Sequence, residues 1–540
     1  MISDHAAPFD IDALCATTIS AALARAATLA GDVEAVVAAD GRLTYAALAA
    51  EVARIRGGLA AQGVRKGEHI GLCLGNSTRW VAIFLAIGSL GAVAVPINTR
   101  FVAAEMAYAL SQSKVSRLIL CDRFLKIDFI GLLRQIDPAL TDRLPAPALP
   151  DLKQLIVVGD NVPPAALAWE ALLASGAEPA QAQGEANDPL LIQYTSGTTS
   201  FPKGVLLTQR SMLGNAFVSG HRMGLRVGDR FHSARPFFHV AGTTLSILSC
   251  LQHMATLVSM DRFEPGEALR LMEAERCTHF SGNDTMALML LSHPERPARR
   301  LVLRGAWLAA SPTIVARVID ELGAGECVVG YGLSEAAPNV AQSSWWEPEA
   351  VRISAAMRPQ PGIDVRILKE DGEDAACGEP GEILVRGWSV MREYFDKPAE
   401  TRAALSADGW LSTGDLGALD ENGRLTFLGR AKEIVRVGGE NVSPADVENV
   451  LHRHTAIRQA AVVGVPDERL VEVTGAFVIL KEGARAEPAE IMDWAKANMA
   501  GFKVPRHVWI VESFEAIGMT ASSKIQKKQL AEHARKLIGA

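Results

Sequence analysis

Apolar residues recur at two spacings along the first 360 positions of the chain. Leu48, Val52, Ile55 and Leu59 fall every three or four residues behind Thr44. That spacing predicts a helix with one buried face and a hydroxyl cap. His69 to Leu74 predicts a strand, Thr78 to Ile87 a helix and Ala92 to Ile97 another strand. Arg117 to Cys121, Leu155 to Val158 and Leu190 to Ile192 continue the strand series. Strands alternating with helices imply mostly parallel sheets covered on both faces. Residues 159–188, rich in Ala, Pro, Gly and Gln, predict a loose connection. The longest apolar stretch, Val81 to Ile97, is broken by Gly88, Ser89, Gly91 and Pro96. It predicts a buried helix and strand and no transmembrane segment.

After about residue 360 the pattern shortens. Val365 to Leu368, Glu382 to Val385 and Leu425 to Leu428 are brief β-like runs between Gly, Asp and Asn turns. A final unit begins near Gly429. Ser443-Pro444-Ala445-Asp446 starts a helix whose Val447, Val450 and Leu451 share a face. Strands at Ala460 to Val465 and Gly475 to Leu480 follow, then a helix bearing Ile491, Trp494 and Ala495. The expected class is α/β, with a large domain over 1–429 and a small α+β domain over 430–540.

Composition narrows the partners. A chain of 540 residues is too long for one core, which agrees with two domains. A net charge of −7 argues against nucleic acid as a partner. The seven cysteines form no C-x-x-C pair, so reduced thiols in a cytoplasmic setting are expected. The first residues, Met1-Ile2-Ser3-Asp4-His5, lack the basic-then-apolar order of a signal peptide.

Chemistry concentrates in a few segments. Tyr194-Thr195-Ser196-Gly197-Thr198-Thr199-Ser200-Phe201-Pro202-Lys203-Gly204 lies between two apolar runs. Glycine lets backbone N–H groups approach a ligand, hydroxyls add short donors, and Lys203 adds a mobile cation. Such a loop suits a polyphosphate, although its spacing is not that of a Walker A loop. Further on stand Gly330-Tyr331-Gly332-Leu333-Ser334-Glu335, then Trp410-Leu411-Ser412-Thr413-Gly414-Asp415. Gly429-Arg430-Ala431-Lys432-Glu433, Gly438-Gly439-Glu440-Asn441 and Thr520-Ala521-Ser522-Ser523-Lys524-Ile525 complete the set. Taken singly, each reads equally as a strand–turn–helix junction, an Asp-capped turn or a solvated charge.

Taken in order, they resemble the motifs of the adenylate-forming superfamily, in its acyl-CoA synthetase branch. The resemblance covers nearly the whole chain, from Arg42-Leu43-Thr44-Tyr45 onward. Ser200, Ser334 and Ser523 depart from it, standing where glycine, threonine and glycine are usual. The resemblance implies a distorted β-barrel subdomain in the large domain and a mobile small domain turning about a hinge near Lys432. It also implies a two-step ligase, in which a carboxylate attacks the α-phosphorus of ATP and coenzyme A then takes the acyl group. Thr195, Ser196, Gly197, Thr198, Thr199 and Lys203 would hold the phosphates. Tyr331, Gly332 and Ser334 would meet the nucleotide, and Glu335 with Thr195 would hold Mg²⁺. Asp415 would accept the ribose hydroxyls and Arg430 would reach ribose or phosphate. Lys524 would be the catalytic lysine, with His239 beside the reacting carboxylate. Gly438 and Gly439 would approach the pantetheine tunnel, and Arg436, Lys503 and Arg506 the phosphates of coenzyme A. A homodimer is the expected assembly.

The acid is less constrained. Arg235-Pro236-Phe237-Phe238-His239-Val240-Ala241-Gly242 resembles the entry of the acyl pocket. No acidic residue occurs between Phe231 and Val258, which disfavours an amino-acid substrate. Asn283-Asp284 stand where Val-Pro is common, either as polar pocket residues or as a turn facing elsewhere. Trp307 is bulky where small residues are frequent. A short, medium-chain or cyclic acid is expected. The rivals are an acyl-AMP ligase loading a carrier-protein thiol and a catalytically impaired nucleotide-binding relative.

Overall fold

The computed structural model of the chain describes residues 17–176, 180–195, 202–437, 440–467, 469–520 and 523–539. Its centre is a helical layer held between two large sheets. The helix Thr78–Ser89 leaves only Arg79 outside its buried set. A helix apolar all round needs cover on every side. That cover comes from Ile70 and Leu72 on one sheet and from Val36, Phe231 and Leu257 on the other, all in one continuous core. The helix Tyr45–Ala61 is capped by the Thr44 hydroxyl and buries Leu48, Val52, Ile55 and Leu59, as the spacing predicts.

One sheet has eight strands, six of them consecutively parallel from Pro189–Thr195 to Ala166–Ala168. The other has nine strands, with parallel pairing from Val328–Gly332 across to Glu34–Ala38. The connection expected to be loose over 159–188 instead contains a strand, Ala166–Ala168, and a helix, Trp169–Ser175. Leu172 and Leu173 of that helix pack into the core, and this burial outweighs a locally weak pattern.

The short runs after residue 360 form a four-stranded antiparallel sheet of Ile363–Leu368, Gly381–Gly387, Leu411–Leu419 and Leu425–Arg430. The expected distorted barrel is not closed among the described residues. The first and last strands do not pair with each other, and four strands are too few to enclose a packed interior. The residues from Val435 onward build a five-stranded sheet with two apolar clusters of their own, on either face. Among the described residues, no helix is long and apolar enough to cross a membrane.

Candidate functional site

Parallel strands carry their ligand sites at their carboxyl ends, where loops diverge. In the nine-stranded sheet those ends deliver the segment 234–239, Asn283 and Gly332 to one edge. The opposite wall is the hairpin Pro189–Thr195 and Lys203–Thr208, in which Thr195 pairs with Lys203. Ser196, Gly197, Thr198, Thr199 and Ser200 lie outside the described residues, as do Gly438 and Gly439.

Glu335 sits in a 3₁₀ turn directly after the Val328–Gly332 strand. The Tyr394 hydroxyl donates to its Oε1 at 2.8 Å, and the Met391 N–H donates to its carbonyl at 2.7 Å. Lys203 Nζ lies 4.5 Å from the centre of the same Tyr394 ring. Burial and the neighbouring Glu335 raise the Tyr394 phenol pKa, so it stays a donor. Tyr394 went unmarked in the sequence, because its role arises only when Glu393–Tyr394 pairs with the Lys203–Thr208 strand. Gly332 is required by close packing: a Cβ there would lie 1.9 Å from the Pro338 carbonyl oxygen.

Asp415 is buried, at 8 % exposure, beside a glycine turn. Its Oδ2 accepts from Tyr331 Oη at 2.9 Å, and Arg430 Nε stands 3.8 Å from Oδ1. Burial raises the Asp415 pKa, against the opposing pull of Arg430, Tyr331 and Lys524. The Tyr331 ring stacks on Phe427, with centroids 5.2 Å apart and planes at 23°. Ser334 and Lys432 flank this cluster on the two short 3₁₀ turns.

Lys524 is presented by a tight loop. Its N–H donates to Thr520 Oγ1 at 3.0 Å, and its carbonyl accepts from the Thr520 N–H at 2.8 Å. Ser523 adopts φ 55°, the left-handed conformation that glycine supplies without strain. Serine there takes the backbone conformation that glycine would supply. Lys524 and His239 are both reachable by water yet enclosed by protein on most sides, as groups lining a cleft are. This enclosure, followed by Arg430, lowers the Lys524 pKa, while Glu433 and Asp415 oppose the shift. Enclosure also lowers the His239 pKa, helped by Arg235 and Lys524. His239 Nδ1 accepts from the Ala241 N–H at 3.2 Å, so the neutral ring carries its proton on Nε2. Of the residues expected near coenzyme A, Lys503 pairs with Asp446 at 3.0 Å and the Arg436 N–H donates to Glu472.

Asn283 and Asp284 each accept a main-chain N–H, as residues at a helix start do. Asn283 caps the helix Asp284–Leu291 by accepting from the Met286 N–H at 2.9 Å. Asp284 accepts from the Ser311 N–H at 2.8 Å. Burial pushes the Asp284 carboxyl up to about 6; Glu448 adds to the rise, and Ser311 and Lys527 oppose it. The folded state therefore holds this proton more tightly than the unfolded chain, whose reference value is 3.8. The resulting stability is full below 3.8 and is lost as pH rises through about 6. Asp284→Asn keeps the acceptor and removes the buried charge. It is expected to raise stability at pH 7.5 by ~1–2 kcal/mol, since each pKa unit is worth ~1.4 kcal/mol before allowance for water access. The gain should shrink to about half at pH 5. Equal gains in thermal melts at the two pH values would contradict this account.

Comparison with known proteins gives one pattern. The AMP-binding enzyme family matches residues 23–395, and the AMP-binding enzyme C-terminal domain matches residues 446–524. The putative acyl-CoA synthetase YngI of Bacillus subtilis (strain 168) is 33% identical over 534 residues, covering 96% of this chain and 97% of its own. The 3-[(3aS,4S,7aS)-7a-methyl-1,5-dioxo-octahydro-1H-inden-4-yl]propanoyl:CoA ligase of Rhodococcus jostii (strain RHA1) is 34% identical, covering 96% and 99%. The crystal structure of the anthranilate CoA ligase AuaEII with anthranoyl-AMP superposes with a TM-score of 0.88 at 25% identity, covering 98% and 100%.

Proposed function

Because the chain belongs to the AMP-binding enzyme family, in its acyl-CoA synthetase branch, we infer that Lys524, Glu335, Asp415 and Arg430 form the working site of an AMP-forming carboxylate–CoA ligase. The observation that carries this assignment is the buried Asp415 carboxylate, bonded by Tyr331 Oη at 2.9 Å and approached by Arg430 Nε at 3.8 Å. Those residues come from two different sheets, Tyr331 from the nine-stranded one and Asp415 and Arg430 from the four-stranded one.

A carboxylate is a poor electrophile, and bringing it to ATP concentrates negative charge. Lys524 and Lys203 offset that repulsion where the α-phosphorus is attacked and pyrophosphate departs. Asp415 accepts the ribose hydroxyls, with Tyr331 and Arg430 fixing its two oxygens. His239, neutral and protonated on Nε2, donates toward the acid. The thiol of coenzyme A then attacks the acyl carbon, and AMP leaves. Ser196, Gly197, Thr198 and Thr199 are assigned to the phosphates by motif, as Gly438 and Gly439 are to the pantetheine path.

The residues fit Mg²⁺. Glu335 has one oxygen held by Tyr394 and a second for a cation, with the Thr195 hydroxyl as a further hard donor. No cluster of three or more acidic, His or Cys side chains occurs among the described residues. That donor set suits an ion bound mainly through substrate phosphates. Mg²⁺ held there would neutralise phosphate charge during displacement.

The boundary lies between 429 and 430, supported by the separate apolar clusters beyond Val435. Lys432, in a one-turn helix between two strands, is the hinge. Rotation about it would withdraw Lys524 and bring the 438–439 glycines to the thiol channel. The reading also carries a homodimer and a cytoplasmic setting. The substrate is a short, medium-chain or cyclic non-amino acid, supported by the bulk of Trp307 and by the absence of an acidic residue between Phe231 and Val258.

The test is acid-dependent exchange of pyrophosphate into ATP over a panel of carboxylic acids, followed by mass spectrometry with coenzyme A. Acyl-CoA formation is expected. No exchange with any acid overturns the reading, and exchange without a thioester points to a carrier-protein thiol.

A further inference from the structure

Arg235 is a buried cation without an anion. It is 9% exposed, and no carboxylate pairs with it among the described residues. Its Nη1 is closed off from water and has no hydrogen-bond partner. Nη2 has only a 3.4 Å contact with the Gly282 carbonyl, longer than an ordinary bond. The guanidinium Cζ lies over Trp307, 4.3 Å from the ring centroid.

Other buried arginines show what a purely structural one looks like. Arg222 gives three bonds to the carbonyls of Gln342, Arg358 and Pro359. Arg352 bonds the carbonyls of Glu347 and Cys327. Arg235 has no such set. Burial lowers its pKa to about 9, the signature of an uncompensated charge. A buried charge persists when something in the working state compensates it.

Its position says what that is. Arg235 lies four residues before His239, and its charge is felt by the His239 ring at the cleft. Its backbone is pinned: Asn76 Nδ2 donates to the Arg235 carbonyl at 2.9 Å, and Asn76 Oδ1 accepts from the Phe237 N–H at 2.8 Å. Trp307 is fixed too, through Nε1 donating to Gln342 Oε1 at 3.2 Å and through Gly330, where a Cβ would lie 2.3 Å from the indole. The stem and the stacking platform are rigid, whereas the fork is barely bonded. It can turn toward an acceptor at little cost.

We propose that Arg235 is the specificity-determining residue of the acid pocket, and that the acid carries an oxygen acceptor, ketone or second carboxylate, remote from the reacting carboxyl. This rests on the ligase reading above. Arg is suited to the task because its planar fork meets a carbonyl or carboxylate while stacked on an aromatic face. A site built to bond a substrate oxygen discriminates strongly against the analogue lacking it, because its own buried group is left unpaired.

The experiment compares matched acids in pyrophosphate exchange: hexanoate, 5-oxohexanoate and hexanedioate, and 3-cyclohexylpropanoate with its 4-oxocyclohexyl counterpart. The intact enzyme is expected to favour an oxygenated member by at least ~10-fold in kcat/KM, and the favoured member distinguishes ketone from carboxylate. Arg235→Leu should erase that preference, lowering kcat/KM for the favoured oxygenated acid by at least ~10-fold more than for the plain acid. Arg235→Lys, which keeps charge without the fork, should recover part of it. Thermal stabilisation of the unaltered protein by each acid with ATP gives a readout independent of the variants and should follow the same order. Exchange with no preference for oxygenated acids overturns the proposal while leaving the ligase reading intact. So does an equal loss on all acids in Arg235→Leu. Absence of exchange with every acid would instead remove the ligase reading.

Discussion

Lys524→Ala lowers acyl-adenylate formation by ~10²–10³-fold and leaves the reaction of preformed acyl-AMP with coenzyme A within a few-fold of the original rate. The magnitude is that of removing one preorganised charge-stabilising donor from a reacting centre. The asymmetry follows from the assignment of the lysine to the first half-reaction, in which carboxylate and phosphate charges are forced together. In the second half-reaction the thiol attacks an uncharged acyl carbon, and the triphosphate charge has left with pyrophosphate, so little of that repulsion remains. The loop itself survives the change, because its turn is closed by Thr520 and by main-chain atoms of Lys524. The two half-reactions can be timed separately by rapid quench. Equal loss in both would contradict a lysine that serves adenylation alone and, with it, rotation about Lys432.

Glu335→Gln lowers adenylation by ~10²-fold, about 2.7 kcal/mol, and moves the Mg²⁺ dependence to higher concentration. Glutamine retains an oxygen for the Tyr394 hydroxyl, so the turn stays tied to the Lys203–Thr208 strand. The change removes the charge and not the scaffold. Titrating Mg²⁺ at fixed ATP separates the two effects, because a purely structural defect scales the rate without shifting the metal midpoint. A direct readout is Mn²⁺ binding with ATP followed by electron paramagnetic resonance, where weaker binding is expected. An unshifted midpoint and unchanged Mn²⁺ binding would remove Glu335 from the metal site. Unlike Lys524→Ala, this variant should respond to added metal.

Much of this molecule was legible in the order of residues. The Thr44 cap, the Thr78 helix and the parallel strand series form where the spacing places them, because each depends on interactions within a few residues. The charged groups of the motifs were legible for a similar reason, since short segments fix residue type and turn chemistry together. The barrel and the loose 159–188 connection were misread. Closure of a sheet and burial of a marginal helix depend on what packs against them, not on local pattern.

Pairings over long separations stayed hidden. Tyr394 binds Glu335 across 59 positions, and Tyr331 binds Asp415 across 84. The polar pair Asn283-Asp284, which the sequence left as either pocket residues or a turn, starts the helix Asp284–Leu291. Arg235, part of the segment that resembles the entry of the acyl pocket, is buried with its Nη1 unbonded among the described residues. The sequence by itself determined the elements, the family and the chemical class of the reaction, since local spacing and motif order carry these. Only the tertiary structure decided that Tyr394 holds Glu335, that Tyr331 holds Asp415 and that Arg235 has no carboxylate beside it among the described residues. Burial and partnership are properties of neighbours brought together by folding.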